Sequence, residues 1–128
     1  MMTRPIPKRI LVVDDDQEMQ DIAPALLTAY GHSVTYVTTG DEAIALHEKN
    51  PFDVAIVELF MSSCNGFEAF AGLRRAASPP KFIITAKPIR APAEDYLRVA
   101  RQLGAHETLF KPFAGEQLIA AVRNVSEM

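Results

Sequence analysis

Apolar residues in this chain come in short runs, each ending at a polar residue and followed by a longer segment with helical spacing. Ile10-Leu11-Val12-Val13 runs into Asp14-Asp15-Asp16, and Val54-Ala55-Ile56-Val57 runs into Glu58. Phe82-Ile83-Ile84 ends at Thr85, and Thr108-Leu109-Phe110 ends at Lys111-Pro112. Unbroken apolar runs of this length fit strands that are buried on both faces, as in a parallel sheet. The pattern predicts strands over residues 9–13, 33–37, 53–57, 82–85 and 107–110, of which only the second alternates. Helices are predicted from residue 16 to about 29, and over 41–49, 66–76, 93–103 and 115–125. Gly31, Asn50-Pro51, Ser78-Pro79-Pro80 and Gly104 supply the stops.

Five βα units in series imply an α/β domain, a parallel sheet with helices on both faces. Right-handed crossovers prune the topologies, and a doubly wound, flavodoxin-like sheet in the order 2-1-3-4-5 with five helices is the natural one. Ligands of such sheets bind beyond the carboxyl ends of the strands, where the strand order reverses. Strands one and three flank that reversal, and they are the strands that deliver Asp14, Asp15 and Glu58. The domain is assigned to residues 9–126, with residues 1–8 as an N-terminal tail. No linker-like tail or second composition follows, so a chain of this extent is expected to carry no output domain of its own.

Composition narrows the function classes. A length of 128 residues suits one domain with a core that needs no staples. The net charge of -3 and the scattered basic residues give no phosphate-binding face, so no direct nucleic-acid partner is expected. The single cysteine, Cys64, excludes an internal disulfide and a cysteine-rich metal site. No apolar run approaches the ~20 residues that span a bilayer, and the start lacks a signal peptide's apolar stretch. A cytoplasmic protein without a membrane partner is the expectation. His32, His47 and His106 show no metal spacing. With no Gly-rich phosphate loop or dinucleotide fingerprint, no organic cofactor is expected. A flavin or nucleotide site would have to follow strand one, where Asp14-Asp15-Asp16 repels phosphate.

Three carboxylates at neighbouring strand ends repel one another, so a cation or a retained proton must stabilise them. Asp14, Asp15 and Glu58 are candidate ligands for Mg2+, which favours oxygen donors. Lys111 is the alternative, an internal counter-ion close to Glu58. Capping of the first helix is the plainer role for Asp14 or Asp16.

Taken in order at the ends of the right strands, Asp14-Asp15, Glu58, Asn65-Gly66, Thr85-Ala86, Gly104-Ala105 and Lys111-Pro112-Phe113 resemble the receiver domain of two-component response regulators. In that family the acid pair holds Mg2+, a strand-three Asp takes a phosphoryl group from a phosphohistidine, and the Thr and Lys contact the phosphoryl oxygens. The resemblance assigns Asp14 and Asp15 to the metal, and Thr85 and Lys111 to supporting roles. Here Glu58 stands at the acceptor position. Its extra methylene carries the carboxylate about 1.5 Å farther, and misplacing a reacting group by ~1 Å can cost on the order of 100-fold in rate. The resemblance therefore implies an atypical, non-enzymatic receiver whose acceptor is degenerate. The alternative is a working phosphorelay receiver that forms an acyl phosphate on Glu58 and binds Mg2+.

Other positions depart from the pattern too. The switch position three residues before the lysine, usually aromatic, is Thr108, and Met61-Ser62 replaces the usual Met-Pro. The stretch from Thr85 to Lys111 is somewhat long and holds Pro88 and Pro92. Partners implied by the family are a histidine kinase, a phosphotransfer protein or a downstream effector, engaged through the helix 4–strand 5–helix 5 face, with a homodimer as a further candidate. Ser62 and Ser63, beside the acids, are minor candidates for modification.

Overall fold

The computed structural model describes residues 6–62, 66–87 and 93–128. In chain order they form β1 (Arg9–Val13), α1 (Gln17–Ala29), β2 (Ser33–Val37), α2 (Gly40–Lys49), β3 (Val54–Glu58), α3 (Gly66–Arg74), β4 (Lys81–Ala86), α4 (Ala93–Gln102), β5 (Glu107–Phe110) and α5 (Gly115–Ser126). The strands pair in parallel in the order β2-β1-β3-β4-β5, the doubly wound arrangement expected. Ser63, Cys64, Asn65, Pro88 and Pro92, which the sequence reading singled out, lie outside the described residues.

Elements differ from expectation by a residue or two, for identifiable reasons. β4 gains Lys81 and Ala86 because its neighbours complete the ladder, Val54 beside Lys81 and Phe110 beside Ala86. α1 begins at Gln17 because the Asp16 side chain accepts the Glu18 N–H and so sits outside the helix as its cap. Its other end is set by Gly31 at φ +94°, a conformation that costs an L side chain strain.

Alternation along the strands divides the core. Leu11, Val13, Ala55, Val57, Phe82 and Ile84 pack under α2, α3 and α4, around Phe70, Leu73 and Leu97. Ile10, Val12, Val54, Ile56 and Ile83 face the other way, against Leu27 of α1 and Leu118 and Val122 of α5. The histidines serve the opposite end of the sheet from the acids. His32 Nδ1 accepts the Lys8 N–H (3.1 Å), His47 Nδ1 the Phe52 N–H (3.1 Å), and His106 Nδ1 the Phe82 N–H (3.0 Å). Each satisfies a backbone donor where a strand starts, a structural role that requires a neutral imidazole. Burial, aided by Lys8 and Lys81 respectively, lowers the pKa of His32 and His106 and keeps them in that form. Among the described residues, no helix is long and apolar enough to cross a membrane.

Candidate functional site

Backbone hydrogen bonds just past the strand ends place the polar residues. The Asp14 N–H donates to the Val37 carbonyl (3.1 Å), the Leu59 N–H to the Thr85 carbonyl (3.0 Å), and the Lys111 N–H to the Ala86 carbonyl (2.8 Å). Glu58 lies beside Thr85 in the β3–β4 register. Val13, Val57 and Ile84 face α2–α4, so the next residue on each strand turns to the α1/α5 side. Asp14, Glu58 and Thr85 thus meet on one face. Asp15, one residue further, turns away.

Lys111 stands at the centre of the cluster. Its Nζ lies 2.7 Å from Asp14 Oδ2, 3.3 Å from Glu58 Oε1 and 3.4 Å from Asp16 Oδ2. The contact to Asp14 is a well-made charged hydrogen bond. The one to Glu58 is an ion pair off the hydrogen-bonding direction, which leaves buried Oε1 without a hydrogen-bond partner among the described residues. Among the described residues, Glu58 Oε2 receives only a long bond from Thr85 Oγ1, 3.5 Å. A carboxylate that is 1% exposed is therefore weakly satisfied at both oxygens.

The electrostatics follow from this geometry. Burial pushes the Glu58 carboxyl up to about 7; Lys111 opposes the rise and Asp14 adds to it. Asp14, also 1% exposed, is raised by burial, against the pull of Lys111 and of the Asp16 N–H that its Oδ1 accepts (2.9 Å). For Lys111, burial works against the charge, but the hydrogen bond to Asp14 and the charges of Glu58, Asp14 and Asp16 outweigh it and raise the pKa. Asp15 is distinct. Burial would raise its pKa, but the Ser62 hydroxyl (2.6 Å) and N–H (2.7 Å), with the charge of Lys87, bring it below the ordinary value.

The structure thus brings together Asp14, Glu58, Thr85 and Lys111 and sets Asp15 and Thr108 apart. Thr108, half-buried on β5, accepts a hydrogen bond from Arg101 Nη1 of α4 (3.1 Å). Sequence reasoning gave Asp16 a cap alone, whereas its Oδ2 also faces Lys111. It did not give Ser62 its role as the anchor of Asp15. The signal was present, because proline at that position has no N–H to donate. Lys87, just after β4, acts on Asp15 and Glu58 through charge, and no motif marks it.

The donors suit a hard divalent ion, since all are carboxylate oxygens and one is buried and unpartnered. They are not gathered into a ready set: among the described residues no three acidic, histidine or cysteine side chains converge on one point. Lys111 holds the space between Asp14 and Glu58, and Ser62 holds Asp15. On the α1/α5 side of Lys111 lies a cavity of about 340 Å3, with Met19, Ile22, Leu26 and Phe113 among its apolar lining and Asp16, Glu18, Lys87 and Lys111 among its charged lining.

Gly66, the first residue of α3, packs against the backbone of Glu58 and Leu59. Its N–H donates to the Leu59 carbonyl (3.0 Å), and a Cβ there would stand 2.6 Å from Leu59 Cα and collide with the Glu58 carbonyl. Backbone cannot yield as a flexible side chain does. Gly66→Ala is expected to cost about 2–3 kcal/mol in a denaturant titration, in the upper range for overpacking.

A doubly wound sheet with acids, a threonine and a lysine at its carboxyl edge defines a class of signalling domain. The chain belongs to the response regulator receiver domain family, which it matches over residues 10–123. It is 32% identical over 117 residues to the response regulator SaeR of Staphylococcus aureus (strain USA300), an alignment covering 91% of this chain and 49% of SaeR. The chain therefore spans about half the length of the curated relatives it matches. Among solved structures it is similar to the receiver domain of the sensor histidine kinase PA1611 from Pseudomonas aeruginosa PAO1, which holds a magnesium ion in its active-site cleft. That match has a TM-score of 0.79 at 24% identity, over 96% of this chain and 100% of that one. A putative response regulator from Chloroflexus aurantiacus J-10-fl superposes with a TM-score of 0.83 at 22% identity, over 96% and 100%. These likenesses establish the fold.

Proposed function

We propose that this receiver domain of a two-component system signals through protein–protein contact without phosphorylation of its own acceptor position. The observation that carries this reading is the place of the Glu58 carboxylate, with Oε1 3.3 Å from Lys111 and Oε2 3.5 Å from Thr85. Lys111 and Thr85 are the groups that an incoming phosphoryl oxygen would need. A nucleophile must approach phosphorus in line with the supporting cations already aligned, and the longer side chain occupies part of that approach. Glu58 mimics a phosphorylated acceptor only in part, with one charge against the ≈ -1.5 to -2 of a phosphoryl group.

Asp14, Asp15 and Glu58 are the residues that would hold Mg2+, once Asp14 and Glu58 turn from Lys111 and Asp15 from Ser62. Bound there, the ion would supply charge neutralisation. Thr108 lacks the size to gate a pocket as an aromatic side chain does, and its tie to Arg101 joins β5 to α4. The partner face is assigned to α4, β5 and α5. Exposed Val99, Leu103 and Phe110 lie along its α4–β5 part and give a protein partner apolar contact. A histidine kinase, a phosphotransfer protein, a downstream effector or a second copy of the chain are the candidates, in a cytoplasmic setting.

Incubation with acetyl phosphate and Mg2+, read by intact mass, tests the reading. The protein is expected to keep its mass. Stoichiometric gain of one phosphoryl group on Glu58 would favour the second reading, a working phosphorelay receiver, whose support is the retained Asp14, Asp15, Thr85 and Lys111.

A further inference from the structure

We propose that His32, His47 and His106 form a proton-operated latch along the amino edge of the sheet: protonation turns each accepting Nδ1 into a donor, releases the backbone N–H that it holds, and opens that edge in mildly acid conditions. The three bonds lie where strands begin. His32, just before β2, holds the Lys8 N–H ahead of β1 (3.1 Å). His47 of α2 holds the Phe52 N–H ahead of β3 (3.1 Å). His106, just before β5, holds the Phe82 N–H of β4 (3.0 Å), while its own N–H donates to the Phe82 carbonyl (3.0 Å). One tautomer serves in all three, with Nδ1 bare. At His47 it is fixed a second time, because Nε2 lies 2.7 Å from the Ser78 carbonyl, which can only accept.

An imidazolium carries a proton on both nitrogens, so each bond would become two donors face to face. The rings have little room to turn away. His32 and His47 are buried, and His47 and His106 stack on the rings of the residues they hold, Phe52 and Phe82. The charged groups around them are Lys8 near His32, then Lys81, Arg74 and Glu107 near His106, and Arg9 and Asp53 near Phe52. Cations outnumber acids among these, and Asp53 is already engaged by the Arg9 N–H (2.8 Å). The closed edge therefore favours neutral rings, whereas an open edge lets a histidine titrate near its ordinary 6.5. Closure is fully held above pH 6.5 and is lost as pH falls below it, at up to about tenfold in the opening constant per pH unit for each histidine. Glu58, whose carboxyl burial pushes up, has the opposite pH dependence, so global stability mixes the two and a local readout separates them.

Amide hydrogen exchange supplies that readout. In the wild type, the protection factors of Lys8, Phe52 and Phe82 are expected to fall on the order of tenfold between pH 6 and pH 5, while those of Val12 and Ile56, in the middle of the sheet, fall less. In His32→Asn and His106→Asn the amide oxygen takes the place of Nδ1 as acceptor and does not titrate. The fall is expected to vanish at Lys8 in the first variant and at Phe82 in the second. A flat wild-type profile, a fall shared equally by Val12 and Ile56, or folded Asn variants that keep the full fall would overturn the proposal. Where a variant does not fold, the wild-type profile decides alone.

Discussion

Replacing Glu58 by Gln is expected to stabilise the protein above pH 7, by about 3 kcal/mol or roughly 10 °C in Tm in metal-free buffer. The group is 1% exposed, and burial pushes its carboxyl up to about 7 in the fold from the 4.5 of an ordinary glutamate. A carboxyl whose pKa is raised by folding favours the folded state while it is protonated. That contribution is complete below pH 4.5, declines as pH rises between 4.5 and about 7, and is gone above. Gln has the shape of the protonated acid and never carries the charge. Wild type and Glu58→Gln should therefore match at pH 4 and separate progressively to pH 8. Lys111 does not lose its footing in the variant, since its bond to Asp14 at 2.7 Å remains. Denaturant titrations at pH 4, 6 and 8 check the sign, and a variant less stable than wild type at pH 8 would show that the Glu58–Lys111 attraction exceeds the burial cost.

Lys111→Met is expected to do the reverse, with a loss of about 3–5 kcal/mol at pH 8 in the presence of a chelator. Met keeps the stem of the side chain and removes only the cation. Two carboxylates, each 1% exposed, then share the pocket with no counter-charge. Their remaining remedy is to take up protons, toward which burial already biases both. The loss should therefore shrink toward pH 5. Adding Glu58→Gln to Lys111→Met should return part of the stability at pH 8, because the two residues share one interaction. Chemical denaturation of the four proteins yields the coupling, and strict additivity would mean that Lys111 does not stabilise Glu58.

The fold was legible because the rule that governs it is local. Unbroken apolar runs such as Ile10–Val13 have no exposed face to mark, so parallel strands under helices were the consistent reading, and the observed order of strands agrees. Boundaries slipped where a neighbour decides, as when Phe110 draws Ala86 into β4. The cluster was legible for the same reason. Asp14, Glu58, Thr85 and Lys111 each end an apolar run, and strand ends in such a sheet share one edge. What the residue types did not reveal was direction. Alternation sends Asp14 inward and Asp15 toward Ser62, a loop partner 47 positions away in the chain that only the folded loop supplies. Nor does a run of three aspartates say that the third both caps α1 and faces the lysine.

In the proposed function, Glu58 takes the acceptor's place and blocks the acceptor's reaction. The direct test is the rate of phosphoryl incorporation into wild type and Glu58→Asp, side by side, from the same small-molecule donor with Mg2+. Shortening the side chain is expected to withdraw the carboxylate from Lys111 and reopen the approach. Glu58→Asp is predicted to be labelled at residue 58 at least ~100-fold faster than wild type. Labelling of wild-type Glu58 at a rate similar to that of the aspartate variant would contradict it.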